Sequence, residues 1–171
     1  MDFNVLQDIN ILSLGAFDSG SNGLSRSITV QIYDRTSTST PLAQLVFALG
    51  NTGTLEGGSR FLDLNTPLSL AGFIGTIVAS GYGAGELNGN LGAGFLPITT
   101  DAGAGLLSFT GTARYGTANI FPTSIDGGPA NRYAAGTFKY EAVTAVPEPG
   151  TLLLLGLGLI GIGAYGRKRK K

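Results

Sequence analysis

Leu24-Ser25-Arg26-Ser27-Ile28-Thr29-Val30-Gln31-Ile32-Tyr33 decides the fold. Leu24, Ile28, Val30 and Ile32 share one parity, while Ser25, Ser27, Thr29 and Gln31 share the other, which is the period-two pattern of a half-buried strand. Arg26 interrupts the apolar face, and a rim position lets its guanidinium reach water. Upstream, Asp18-Ser19-Gly20-Ser21-Asn22-Gly23 is turn chemistry, and Ile9 to Phe17 reads as the preceding strand. Downstream, Asp34 to Thr40 is a polar connection and Pro41 to Leu49 reads as the next strand. The three together are expected to form a meander.

The pattern continues toward the C-terminus. Arg60 to Leu64 and Leu68 to Ser80 read as two further strands. In the second, Phe73, Ile77 and Ala79 on one parity and Ile74 and Val78 on the other give a strand apolar on both faces, as a central strand under a second layer would be. Between Gly81 and Gly105, Tyr82, Leu87, Leu91, Phe95 and Leu96 are strung among glycines without a helical period, which predicts an irregular excursion. Leu106 to Tyr115 alternates Leu107, Phe109 and Ala113 against Ser108, Thr110, Thr112 and Arg114, a clear strand, and Ala134 to Val143 closes the body. Roughly seven short strands without a body helix predict an all-β fold, an antiparallel β-sandwich of jelly-roll-like kind, with an open up-and-down barrel as the nearest rival.

Composition narrows the function classes. The 171 residues include 28 glycines, and charged residues make up only 13%, which suits a turn-rich β protein; the lack of a Gly-X-Y period excludes collagen. The net charge of zero conceals an asymmetry: five of the eleven basic residues are the last five, leaving six against eleven acidic residues, a net of about −5 for residues 1–166. A mildly acidic body without clustered Lys and Arg argues against a nucleic-acid partner. The chain has no histidine and no cysteine, so disulfides, thiolate nucleophiles, Cys/His zinc sites and the Ser-His-Asp triad are excluded.

Chemistry that remains is sparse. Asp18 and Asn22, with Asp34, are weak candidates for an oxygen-ligated cation, but Gly20 removes the third-position ligand and Thr29 stands where a calcium loop needs its closing Glu. An Asx turn between two strands explains the same residues. Glu56, Asp63, Glu86, Asp101, Asp126 and Glu141 are scattered, and no pattern pairs two of them for glycoside hydrolysis. Gly81-Tyr82-Gly83-Ala84-Gly85 lacks the Gly-Lys-Ser/Thr of a phosphate loop. The expectation is a non-enzymatic protein without a cofactor. Tyr82, Tyr115 and Tyr133, with Phe121, offer platforms for sugar stacking, and Asn88, Asn90, Asn119 and Asn131 could bond hydroxyls; the same aromatics also serve as loop packing.

The C-terminus reads as a separate module. Val146-Pro147-Glu148-Pro149-Gly150 precedes an apolar run from Thr151 to Gly166, and Arg167-Lys168-Arg169-Lys170-Lys171 ends the chain. This divides the protein into a β-sandwich domain, 1–145, and a sorting or anchor segment, 146–171. The run is expected to form a short hydrophobic transmembrane helix, its terminal basic cluster on the cytoplasmic side. It falls somewhat below the roughly 20 residues that cross a bilayer.

The order of tripeptide, short apolar span and basic cluster resembles the PEP-CTERM sorting signal of exported bacterial proteins, with Pro147, Glu148 and Pro149 as its signature. The resemblance implies recognition by an integral-membrane exosortase, a precursor held in the inner membrane, and a mature protein in the cell envelope or outside the cell, associated with exopolysaccharide or extracellular matrix. A weaker resemblance links Leu14 to Asp18, Asn22 to Leu24, Val30 to Asp34 and Gly57 to Phe61 to β-sandwich domains common in such proteins. Met1-Asp2-Phe3-Asn4 lacks the basic region and apolar core of an export signal. The expectation is therefore a start internal to a longer reading frame or a truncated gene, the alternative being a product that stays inside with a relic tail.

Overall fold

The computed structural model describes residues 1–89, 103–130 and 135–143. Strands run in the order β1 (Asp2–Val5), β2 (Ile9–Phe17), β3 (Ile28–Asp34), β4 (Ala43–Phe47), β5 (Thr54–Glu56), β6 (Ser59–Leu70), β7 (Ile74–Ser80), β8 (Leu107–Phe109), β9 (Arg114–Tyr115), β10 (Ser124–Ile125) and β11 (Gly136–Ala142). Among the described residues all strand pairings are antiparallel. One sheet has the order β4-β3-β7-β1-β8, a second β11-β2-β6-β5, and β9 and β10 form a separate hairpin.

Alternation has become burial. Ile28, Val30 and Ile32 of β3 are completely buried, and so are Ile9, Ile11, Leu14 and Ala16 of β2 on the facing sheet. With Phe3 and Val5, Phe47, Leu70, Ile77 and Leu107 they form one core between the two sheets. Phe3 ties the layers together, its ring lying 5.0 Å from that of Phe138 on the opposite sheet. Gly136 brings β11 close to the other layer: a Cβ there would stand 3.1 Å from Ile77 and 3.2 Å from Ala79.

The outer face of the five-stranded sheet is covered as well. Gln31, Tyr33 and Thr76 point away from the core, yet each is at most 1% exposed. The segment from Ala113 to Asp126, built on the β9–β10 hairpin, lies over this face. Its Phe121 ring meets Tyr33 edge-on at 5.6 Å. The two-faced apolar pattern of β7 thus has its cause: β7 is the central strand of its sheet, with core on one side and this flap on the other.

Several expectations are corrected. The jelly-roll-like sandwich is matched only in part, because the layers make a half-barrel rather than a closed sandwich. Register shifts between Ile11 and Ser13 in β2, and between Lys139 and Tyr140 in β11, supply the bends that curl a sheet in this way. The expected meander is also not formed, since β2 belongs to one sheet and β3 and β4 to the other. The predicted strand from Leu106 to Tyr115 is two strands: β8 ends at Phe109, and the chain returns over the outer face before β9 begins at Arg114.

The C-terminal hydrophobic helix is corrected too. Among the described residues no helix is long and apolar enough to cross a membrane, and their one helical element is a three-residue 3-10 turn, Gly103–Gly105. The helix expected over 151–166 lies outside the described residues. The transmembrane reading, the membrane as a partner through that segment, and retention of the precursor in the inner membrane are withdrawn with it. The sequence supplies a physical reason: the run is shorter than a typical span, and Gly156, Gly158, Gly161 and Gly163 each weaken a helix.

Candidate functional site

Between the flap and the end of β7 lies a cleft of about 320 Å³, walled by Ile77 to Tyr82 and Asn88 on one side and by Arg114 to Ala118 and Pro122 on the other, with Met1, Ala135 and Gly136 at its margins. The flap is held in place by charge. Arg114 donates from Nε to both oxygens of Asp2, at 2.8 and 3.0 Å, and from Nη2 to Oδ2 at 2.8 Å. Thr76 donates to Oδ1 at 2.6 Å, and Arg35 Nη1 stands 3.9 Å from Oδ2. Burial pushes the Asp2 carboxyl up, but the bonds from Arg114 and Thr76, with the Arg114 charge, outweigh it and hold the group below its usual value. The Arg114 guanidinium lies 5.3 Å from the centroid of Phe121, which completes a stack of Arg114, Phe121 and Tyr33. Ser80 Oγ donates to Asn119 at 3.2 Å across the cleft.

Two of the three tyrosines singled out from sequence meet here. Tyr115 is 56% exposed on the flap wall. Tyr82 lies in the opposite wall, partly buried, its hydroxyl bonded to the carbonyls of Phe17 at 3.1 Å and Ala135 at 2.7 Å. Burial, assisted by the charges of Glu86 and Asp18, pushes that hydroxyl well above its ordinary range. Asn88 lines the same cleft. Tyr133, Asn90 and Asn131 lie outside the described residues.

The candidate cation ligands are engaged otherwise. Asp18 Oδ2 accepts from Arg60 Nε at 2.6 Å and from the Gly23 backbone at 3.0 Å, whereas Asn22 is exposed. Asp34, at the far end of β3, accepts from the backbone and hydroxyl of Thr36, both at 2.7 Å. Among the described residues no group of three or more acidic side chains is placed to hold a metal ion.

Sequence reasoning missed two carboxylates. Asp2 lies in an N-terminal stretch too short to show a period, and Arg114 falls on the polar parity of its segment, where a solvent-facing side chain is expected. Glu86 is one of several acids scattered along the sequence. It is 1% exposed and accepts from the backbone of Ser19 and of Ser25, both at 2.7 Å, clasping the 18–25 turn against the segment that follows β7. No local pattern marks either partnership.

The body and the C-terminal segment together define an all-β protein that carries a sorting signal. Residues 145–170 match the family model described as the PEP-CTERM protein-sorting motif. The match takes in Pro147, Glu148 and Pro149 and the basic residues Arg167, Lys168, Arg169 and Lys170; it supports export and exosortase as a partner. Comparisons with curated proteins and with solved structures find no match.

Proposed function

We propose that this is a non-catalytic, exosortase-sorted protein of the envelope or extracellular matrix that associates with exopolysaccharide, and that the cleft between flap and β7 is where it holds carbohydrate. The convergence of Tyr82 and Tyr115 on one cleft carries this reading. A sugar ring presents an apolar face to an aromatic side chain and hydroxyls to its rim, and here Ser80, Asn88 and Thr117 line the same cleft as Tyr115, which supplies both kinds of contact. The non-catalytic reading draws on the chain's lack of histidine and cysteine, and on a cleft lining without a carboxylate, where glycoside hydrolysis would ask for two.

A glycan array probed with the intact chain tests this reading. Binding to a defined set of polysaccharides that falls about tenfold or more in Tyr115→Ala, as loss of an aromatic platform implies, with an unchanged circular dichroism spectrum, is the expected result. Absence of binding across a broad panel overturns the reading.

A further inference from the structure

We infer that the cleft selects an anionic polysaccharide, one bearing uronate or similar carboxylates, over a neutral one. The inference rests on the carbohydrate reading above and adds the sign of the ligand's charge. Among the cleft-lining residues none is acidic and Arg114 is basic. The carboxylate beneath it does not leave the cluster neutral. Two guanidinium groups, Arg114 and Arg35, share the single carboxylate of Asp2, so the group as a whole keeps a positive charge.

The Asp2 bonds use Nε and Nη2 of Arg114, leaving Nη1 outside that pair and the side chain 16% exposed. Arg35 is anchored by its bonds to Phe3 O at 3.3 Å and to Asn4 Oδ1, which fixes the second positive charge beside Asp2. The surrounding body is acidic, with six basic residues against eleven acidic ones before the terminal cluster. A net positive cluster at the edge of the cleft, with Arg114 in its lining and Arg35 behind Asp2, is a local reversal of sign on such a body, and a carboxylate seated over Tyr115 gains a charge-assisted bond that a neutral hydroxyl does not.

The test needs no variant to establish its main result. The intact chain is run through native gels containing alginate, a polyuronate, or the same polymer with its carboxylates reduced to alcohols. The expected result is an apparent affinity about tenfold higher for the polyuronate, as one charge-assisted bond implies, with the difference largely lost at about 0.5 M NaCl. Tyr115→Ala is expected to weaken binding of both polymers, while Arg35→Gln lowers only the preference for the charged one. Equal affinity for both polymers overturns the charge preference and leaves the carbohydrate reading standing; binding to neither overturns both. Polyuronate binding that Tyr115→Ala leaves intact places the site elsewhere and overturns the inference.

Discussion

Arg114 and Asp2, separated by 112 positions in the chain, form three N–H to carboxylate bonds of 2.8 to 3.0 Å that pin the flap to the central region of the five-stranded sheet. The side chains are 16% and 2% exposed, so the pair is shielded from water on the carboxylate side. Removing one member of such a pair leaves the other desolvated and unpaired, which costs more than the intact pair contributes. Asp2→Asn is expected to lower unfolding stability by about 3 kcal/mol, read as a shift of the urea midpoint at unchanged slope. A loss below about 1 kcal/mol, the range of an exposed pair, would mean that the flap is held by Phe121 packing instead.

The same pair sets an acid limit. The Asp2 carboxyl is held below its ordinary value in the folded protein, so the folded state binds a proton there less readily than the unfolded chain. Its contribution is fully present above the unfolded value, about pH 4, and is lost as the pH falls through the folded one. Denaturant midpoints measured from pH 6 down to pH 2 should fall in this acid range, and Asp2→Asn should flatten that part of the curve.

The sequence was most readable where one face is buried and the other is not. β2 runs from Ile9 to Phe17, as its turn signals implied, and Ile28, Val30 and Ile32 form the apolar face of β3. The chain divides differently from the expected strands over Arg60 to Leu64 and Leu68 to Ser80: β6 runs on to Leu70, and the chain turns at Gly72 (φ +54) before β7. The expected break before Leu68 is an irregularity inside β6, where five steps from Asp63 to Leu68 face only two of β2, and Pro67 falls in that interval, where a ladder can do without its N–H. β1 escaped notice because Asp2-Phe3-Asn4-Val5 is too short to show a period, and Asp2 is tolerable inside only through Arg114. Which sheet each strand joins depends on contacts far apart in sequence, and so does the convergence of Tyr82 with Tyr115. The tail is the reverse case: its sorting motif is legible locally because recognition by another protein needs only the linear order of residues.

Two glycines with similar backbones should respond differently to alanine. Gly81 (φ +107) ends β7 beside the cleft, and a Cβ there would lie 2.3 Å from the Ser27 carbonyl oxygen; Gly50 (φ +88) has nothing within 4 Å of the same position. Gly50→Ala incurs only left-handed strain, about 1 kcal/mol. Gly81→Ala adds a collision with backbone and is expected to cost about 2 kcal/mol or more. Paired thermal melts compare them, and equal losses would contradict the close approach of the Ser27 carbonyl.

Glu86 makes a local prediction. Its two oxygens take the Ser19 and Ser25 N–H groups, each at 2.7 Å, so Glu86→Ala strands two donors at once. The expected loss is about 2 to 4 kcal/mol, with faster amide exchange at Ser19 and Ser25. Glu86→Gln keeps one acceptor and should protect one of the two amides. Unchanged exchange at both in Glu86→Ala would show that the turn is held without the clasp.

The measurement that bears most directly on the cleft as a carbohydrate site is an amide chemical-shift titration of the full chain with oligosaccharides of the polymer that it binds best. Saturable shifts are expected at Val78 to Tyr82 on one wall and at Tyr115 to Ala118 on the other, lost in Tyr115→Ala while the remaining spectrum is kept. Saturable shifts confined to residues outside these two walls, or none at oligosaccharide concentrations that saturate binding, would contradict the account.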